Sequence, residues 1–161
     1  MKILQHLEPN SQLSLLQVAE IQVSYHPHFK ASERPKINSS REVYDIMRSN
    51  WNHNTIDLRE EFNILLLNRA NKVLGIYQVS TGGMSGTVVD PKLIFGVALK
   101  AGASSIILTH NHPSGNLKPS AEDLKVTKRL VECGKLLDLP ILDHMIITSE
   151  SFFSFSDEGL L

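Results

Sequence analysis

The chain has 161 residues, 42% hydrophobic and 20% charged, and this length and balance indicate one folded domain with an apolar core. The formal net charge of −1 argues against a strongly cationic nucleic-acid-binding protein, because such proteins bind phosphates through a basic surface. The single cysteine, Cys133, excludes an intrachain disulfide and a zinc site built from several thiolates. No segment has the roughly 18 apolar residues of a membrane span, so we expect a cytoplasmic protein without membrane contact.

Residues 1–35 are predicted to form an N-terminal arm outside the main domain, which is predicted to cover residues 36–161. In this arm Ile21, Val23 and Tyr25 alternate with polar residues, and this period of two predicts a strand. A proline and a polar stretch end the strand, so we expect it at the edge of a sheet. An edge strand of this kind can pair with a second chain, and a homodimer is therefore one expected assembly.

From position 39 onward the pattern predicts helices that alternate with strands. In chain order these are a helix over 39–51, strands over 62–67 and 73–79, a helix between Asp90 and Gly102, a strand over 104–110, a helix over 120–139, a strand over 140–148 and a final strand or hairpin arm over 151–159. Predicted N-caps are Ser39 or Ser40, Asp90 and Ser120. This alternation predicts the α/β class, as a three-layer α-β-α sandwich with a mixed sheet.

The stretch LTHNHPSGNLKPSAED, which ends at Asp123, carries the residues with the clearest chemistry. His110 and His112 end a predicted strand, and a period of two puts both imidazoles on one side of the sheet. The turns that follow bring the chain back, so that Asp123 lies in the first turn of the next helix. Two histidines and one aspartate leave a fourth position open, as in catalytic zinc sites. We therefore expect one Zn²⁺ per chain.

Each of these residues also has an ordinary structural explanation. Ser120 and Asp123 have the spacing of a capping box, which by itself accounts for both residues. His110 and His112 could be loop histidines without a ligand. Two histidines and a carboxylate also suit Fe(II), but such iron sites usually lie on all-β barrels, and a helix that bears the aspartate favours zinc.

The order His110-Asn-His112, Pro-Ser-Gly, Ser120 and Asp123 resembles the JAB/JAMM (MPN-plus) metalloprotease signature. This resemblance implies a JAB/MPN-like, cytidine-deaminase-like fold. It also implies a zinc-dependent metallopeptidase or isopeptidase-like hydrolase, whose peptide or isopeptide substrate stays open. Ser120, which the signature includes, could donate a hydrogen bond to the oxyanion of the tetrahedral intermediate.

The resemblance implies a catalytic glutamate as well, upstream of the histidines. In the family pattern this glutamate lies just before the first core strand, two residues ahead of a phenylalanine. The pattern selects Glu60, two residues before Phe62, in preference to its neighbour Glu61. Glu60 is expected to activate the zinc-bound water as a base and to return the proton to the leaving amine.

The sequence resembles the RadC family in particular. Three segments carry this resemblance: HNHPSG, the Leu-Asp-His triplet at 142–144 and SFSDEG near the C-terminus. This similarity runs from about Ser40 to Leu161. Asp143 or His144 is expected either to support a ligand histidine or to form a buried structural pair.

RadC proteins usually carry a helix-hairpin-helix DNA-binding domain ahead of the JAB domain, and we find no such pattern here, so we expect the short RadC-like form. The alternative function is a nucleic-acid- or partner-binding module of DNA repair or mobile elements without hydrolytic activity. The net charge of −1 does not support nucleic-acid binding.

Overall fold

The computed structural model describes residues 25–83 and 86–161. In chain order its elements are a short 3-10 helix (Ala31–Glu33), α1 (Ser40–Asn50), β1 (Glu61–Leu67), β2 (Val73–Thr81), α2 (Pro91–Lys100), β3 (Ser105–Asn111), α3 (Ala121–Leu136), β4 (Ile141–Ile147) and β5 (Phe152–Ser154). From α1 onward this order agrees with the predicted one. The strand predicted to contain Ile21 and Val23 lies outside the described residues.

The five strands form one mixed sheet in the order β2-β1-β3-β4-β5. β1 is antiparallel to both β2 and β3, β3 is parallel to β4, and β4 is antiparallel to β5. Parallel neighbours need a crossover connection, and α3 provides it between β3 and β4. The carboxyl end of β3 and the start of α3 therefore lie at the same edge of the sheet, near its centre.

Helices cover both faces of the sheet. On one face, Phe62, Ile64 and Leu66 of β1 belong to the apolar cluster that includes buried residues of α2 and α3. On the other face, Leu65 and Leu67 belong to the cluster that includes α1. Successive side chains of a strand point to opposite faces, which explains why the β1 residues divide in this way. The predicted three-layer α-β-α sandwich is confirmed.

The predicted N-caps begin the three helices. Ser39 accepts a hydrogen bond from the backbone N–H of Glu42, and Asp90 accepts one from that of Lys92 ahead of α2. Ser120 caps α3 in the same way. Within the described ranges, no helix combines the length and the apolar character that a membrane crossing requires.

Helix α3 is shorter than its apolar pattern predicts. The helix ends at Leu136 instead of continuing to 139, because Asp138 takes a φ of 51° and turns the chain. Its buried positions are Thr127, Leu130 and Gly134, whereas Leu136 is 87% exposed. A polar residue and a glycine therefore share the buried face of α3 with Leu130, and Thr127 lies next to the functional residues described below.

Candidate metal centre

The two histidines and the aspartate of the signature meet at the edge where β3 ends and α3 begins. His110 Nε2 lies 3.0 Å from His112 Nε2 and 3.2 Å from Asp123 Oδ1, and His112 Nε2 lies 3.6 Å from Asp123 Oδ2. All three residues offer a ligand atom within 4.8 Å of the others, so the group could bind a metal ion.

The protonation of His112 fits a metal ligand. Its Nδ1 lies 2.6 Å from the backbone oxygen of Asn116, and a carbonyl oxygen only accepts hydrogen bonds. The neutral ring therefore carries its proton on Nδ1, which leaves a lone pair on Nε2 directed at His110 and Asp123. Acceptor atoms this close repel one another unless a proton or a cation lies between them. Two imidazole nitrogens and a carboxylate oxygen are a donor set that divalent zinc accepts.

The helix cap and the candidate ligand are one feature. Ser120 Oγ accepts from the backbone N–H of Asp123 at 3.1 Å, and the backbone N–H of Ser120 donates to Asp123 Oδ2 at 2.6 Å. This reciprocal capping box fixes the Asp123 side chain at the first turn of α3. Since the Ser120 hydroxyl only accepts in the cap, its own proton is available to the cavity.

The charges at the site favour a bound cation. Burial by itself raises the pKa of Asp123, but the hydrogen bonds that His110 and His112 donate when their Nε2 atoms are protonated outweigh it and hold that pKa well below its usual range. The same hydrogen bond to Asp123 raises the pKa of His112, against the opposing effect of burial. Asp123 is therefore a carboxylate throughout the physiological pH range. A cation that binds the neutral imidazoles would take the place of these Nε2 protons beside the carboxylate.

A cavity of about 350 Å³ opens onto these three residues. Its lining combines polar and apolar side chains: Glu60, Phe62, Thr87, Val89, His110, His112, Pro113, Ser114, Asn116, Lys118, Ser120, Glu122, Asp123, Val126 and His144, with Gly86. The sequence-predicted base Glu60 and the hydroxyl of Ser120 thus lie in the same cavity as the His-His-Asp group.

Glu61, the neighbour that the family pattern passed over, lies on the other face of the sheet. Its side chain is 4% exposed, pairs with Arg59 at 2.9 Å and lines a separate cavity beside Trp51 and Asn63. Of the two adjacent glutamates, only Glu60 lines the cavity of the His-His-Asp group.

Asn111, between the two histidines, has a role that the sequence did not reveal. Its side chain points away from the cavity, is fully buried, and donates to the carbonyl oxygens of Ile56 at 2.6 Å and Arg59 at 2.8 Å. Its Oδ1 accepts from the backbone N–H of Glu61 at 2.7 Å. Asn111 therefore clamps the segment that leads into Glu60. The signal in the sequence is a polar residue at the alternate, buried position of a strand end.

His144 and Asp143, the last two residues of the triplet at 142–144, make contacts in different parts of the fold. His144 Nε2 lies 2.9 Å from His110 Nδ1, so His144 directly contacts a candidate ligand. Burial, together with the nearby His110, lowers the pKa of His144 well below its usual value. Asp143 instead accepts from Ser154 Oγ at 2.6 Å and from the backbone of Ser156 at 3.0 Å, so it anchors the SFSDEG ending.

Thr127 is a second residue that the sequence did not reveal. Its Oγ1 lies 2.6 Å from His144 Nδ1 and 2.6 Å from the backbone oxygen of Asp123. A threonine four residues after a ligand, on the buried face of a helix, is the signal that could have identified it.

Comparisons with known proteins show which family this chain resembles, and the matched range includes the residues of this site. The family model described as RadC-like JAB domain matches residues 37–160. A UPF0758 protein of Flavobacterium johnsoniae is 46% identical over 125 residues, which are 78% of this chain and 53% of that protein. One from Alkaliphilus metalliredigens is 46% identical over 103 residues, 64% of this chain and 44% of the relative.

A third relative, a UPF0758 protein of Symbiobacterium thermophilum, is 34% identical over 148 residues, which are 89% of this chain and 62% of that protein. The chain therefore spans about half the length of the curated relatives it matches, from 44% to 62% in these three.

Proposed function

The chain belongs to the family of RadC-like JAB domains, and from its site we propose that it is a zinc-dependent hydrolase of peptide or isopeptide bonds. One observation carries this proposal: the His-His-Asp group and a glutamate line one cavity at the central edge of the sheet. Metal-dependent hydrolysis uses a Lewis acid and a base within reach of the same substrate carbonyl, and this cavity offers residues for both.

The residues that would hold the zinc are His110 and His112, through their Nε2 atoms, and Asp123, through a carboxylate oxygen. Three protein ligands leave one coordination position for water or substrate, which distinguishes catalytic from structural zinc sites. A bound zinc ion would supply a Lewis acid that polarises a carbonyl and lowers the pKa of water to ~7.

Glu60 is the proton carrier in this proposal. It accepts a proton from the attacking water and delivers it to the leaving amine, so that the C–N bond breaks without releasing an amide anion. Its backbone is held on both sides, since Gly82 donates to the Glu60 carbonyl at 2.8 Å and Glu60 donates to the Gly83 carbonyl at 3.0 Å. A base that is fixed at the backbone loses little freedom when the substrate binds.

Ser120 donates its free hydroxyl proton to the oxyanion that develops on the substrate carbonyl. It does so while its oxygen continues to accept from Asp123, so the cap is kept throughout the reaction. The apolar side chains of Phe62, Val89 and Val126 flank these polar groups in the cavity wall. A peptide segment has the same mixture of apolar side chains and polar main chain, which supports a peptide-like substrate.

Zinc content is the direct test of the site. Purified protein is expected to contain about one zinc per chain, measured by metal analysis of the native protein by mass spectrometry. His112→Ala and Asp123→Ala each remove one ligand and are expected to lose most of the metal. His28→Ala removes an exposed histidine away from the cluster and is the control that should keep its zinc. Full occupancy in both ligand variants would contradict the assignment.

A further inference from the structure

A buried chain of hydrogen bonds joins two of the candidate ligands behind the cavity. It runs from Asp123 O to Thr127 Oγ1 at 2.6 Å, from there to His144 Nδ1 at 2.6 Å, and from His144 Nε2 to His110 Nδ1 at 2.9 Å. The helix α3 and the strands β3 and β4 each contribute to it. Of the four residues in this series of hydrogen bonds, the two at its ends, Asp123 and His110, belong to the His-His-Asp group, and Thr127 and His144 do not.

The backbone oxygen of Asp123 can only accept, and this fixes the donor and the acceptor in each of the three hydrogen bonds. A backbone carbonyl cannot donate, so the single proton of the Thr127 hydroxyl points at Asp123 O. The contact between Thr127 and His144 must then be donated by His144 from Nδ1. A neutral imidazole has one N–H, and His144 Nε2 is therefore an acceptor.

The same reasoning carries the proton position to the metal site. Because His144 Nε2 accepts, His110 Nδ1 donates to it. A neutral His110 then has no proton on Nε2, which is the atom that faces His112 and Asp123. His112 reaches the same state through the Asn116 carbonyl. Both histidines thus present bare Nε2 atoms.

We propose that Thr127 and His144 are positioning residues that hold the proton of His110 on Nδ1 and so deliver its Nε2 lone pair to the metal. This inference rests on the zinc site of the proposed function. The reversed chain, with the Thr127 proton on His144, would place a proton on His110 Nε2 and block the ligand atom. The Asp123 carbonyl is the group that prevents this reversal.

The surroundings bury this series of hydrogen bonds almost completely. His144 and His110 are each 1% exposed, and Thr127 is 2% exposed. The His144 ring stacks on Phe155 with the ring centroids 4.7 Å apart, and the Phe62 ring lies tilted beside it with a centroid distance of 5.6 Å. In this orientation of His144, Thr127 and His110 are the partners of its ring nitrogens among the residues that the structure describes.

The first experiment reads the proton positions directly. Long-range ¹H–¹⁵N spectra of the histidine rings are recorded for the wild-type chain, both metal-free and loaded with Zn²⁺. His144 is expected to be protonated at Nδ1 and bare at Nε2 in both samples, and zinc-loaded His110 to be protonated at Nδ1. A proton on Nε2 of His144 would overturn the proposal without any variant being made.

The second experiment removes the hydroxyl without changing the side-chain shape. Thr127→Val is expected to lower the affinity for Zn²⁺ about 10-fold in competition with a chromophoric chelator. This is the low end of the effect of losing a direct outer partner of a ligand, because Thr127 acts on His110 through His144. The ring spectrum of this variant should lose the Nδ1-protonated form of His144. Thr127→Ser restores the hydroxyl and should restore both the affinity and the spectrum.

A third variant separates positioning from stability. Met145 follows His144 in β4, is fully buried and faces the opposite side of the sheet. Met145→Ala therefore removes core packing without touching the hydrogen bonds of His144. It is expected to lower the free energy of unfolding while its zinc affinity stays at the wild-type value. If Met145→Ala lost as much zinc affinity as Thr127→Val, a general loosening would explain both and the proposal would fail.

The outcomes separate this inference from the function on which it rests. A wild-type chain that takes up no zinc would defeat both. A wild-type chain that binds zinc, with a Thr127→Val variant that binds it equally tightly, would defeat the positioning role alone.

Discussion

Adjacent residues in this protein serve opposite faces of the sheet, and this alternation assigns their chemistry. His110 faces the cavity while Asn111 clamps the segment before Glu60. His144 contacts His110 while Asp143 anchors the end of the chain. In each pair the sequence offers two polar neighbours of similar promise, and the side of the strand decides which one can reach the site.

Glu60 and Glu61 provide a matched pair for testing the base. Glu60→Gln keeps the shape of the side chain but cannot accept a proton, so hydrolysis should fall by about 100-fold or more while the zinc content is unchanged. Glu61→Gln is the control and should keep its activity, because Glu61 lies in a different cavity. The probes are a library of fluorogenic peptides and lysine-isopeptide conjugates. Wild-type activity in Glu60→Gln would exclude this residue as the base.

The buried carboxyl of Asp143 should make the free energy of unfolding depend on pH. Burial raises its pKa above the ordinary value of 3.8, despite the hydrogen bond from Ser154. A raised pKa means that the folded chain binds this proton more readily than the unfolded chain. The resulting stabilisation is complete below the unfolded pKa and is lost as the pH rises through the folded pKa.

Asp143→Asn removes this titration, so the wild-type advantage over the variant in free energy of unfolding should grow as the pH falls from about 7 toward about 4. Urea unfolding of the metal-free proteins measures it. Ser156→Ala, which keeps the backbone N–H that donates to Asp143, should differ from wild type by an amount independent of pH. A wild-type advantage over Asp143→Asn that is constant or shrinks toward low pH would contradict the prediction.

The candidate ligands could be predicted from the sequence because His110, His112 and Asp123 belong to one strand-loop-helix unit. Their meeting depends on local geometry: the period of a strand, a turn and a helix cap. The contacts of Thr127 and Asn111 depend on which elements are neighbours in the sheet, which spacing does not encode. Glu60 is predicted through the family resemblance alone, and it lines the same cavity as the His-His-Asp group.

The helices α2 and α3 differ in how much space surrounds a glycine in each of them. A Cβ at Gly134 in α3 would lie 2.4 Å from the Leu139 carbonyl oxygen, whereas a Cβ at Gly96 in α2 would meet nothing within 4 Å. Gly134 therefore allows the end of α3 to contact backbone.

Gly134→Ala is expected to destabilise the protein by about 1–3 kcal/mol, the usual cost of overpacking. Gly96→Ala should stabilise it by about 0.5–1 kcal/mol, because alanine loses less backbone entropy in a helix interior. Chemical denaturation of the two variants gives both values. Equal effects of the two substitutions would show that the approach at Leu139 is not tight.

Taken as one unit, the sheet brings together residues from distant parts of the chain. The site draws on β1, β3, β4 and α3, so binding of a metal should favour the folded state as a whole. At a free zinc concentration 100 times Kd, the gain is about 2.7 kcal/mol. For a domain of this size that corresponds to a rise in Tm of about 5–10 °C.

Thermal unfolding with zinc and with excess chelator measures this rise. His112→Ala, which lacks one candidate ligand, should unfold at the same temperature in both conditions. A wild-type Tm that does not respond to zinc would mean that the metal does not bind the folded state preferentially.

The clamp made by Asn111 sets the smallest unit that a protein engineer could transplant. Grafting the stretch from His110 to Asp123 onto another sheet would transfer the three candidate ligands. It would leave behind the carbonyls of Ile56 and Arg59 that Asn111 holds, and with them the placement of Glu60. The transferable module therefore comprises the turn before β1, the paired strands β1 and β3, and the stretch that continues from β3 to Asp123. A graft confined to the motif should bind metal without gaining a base.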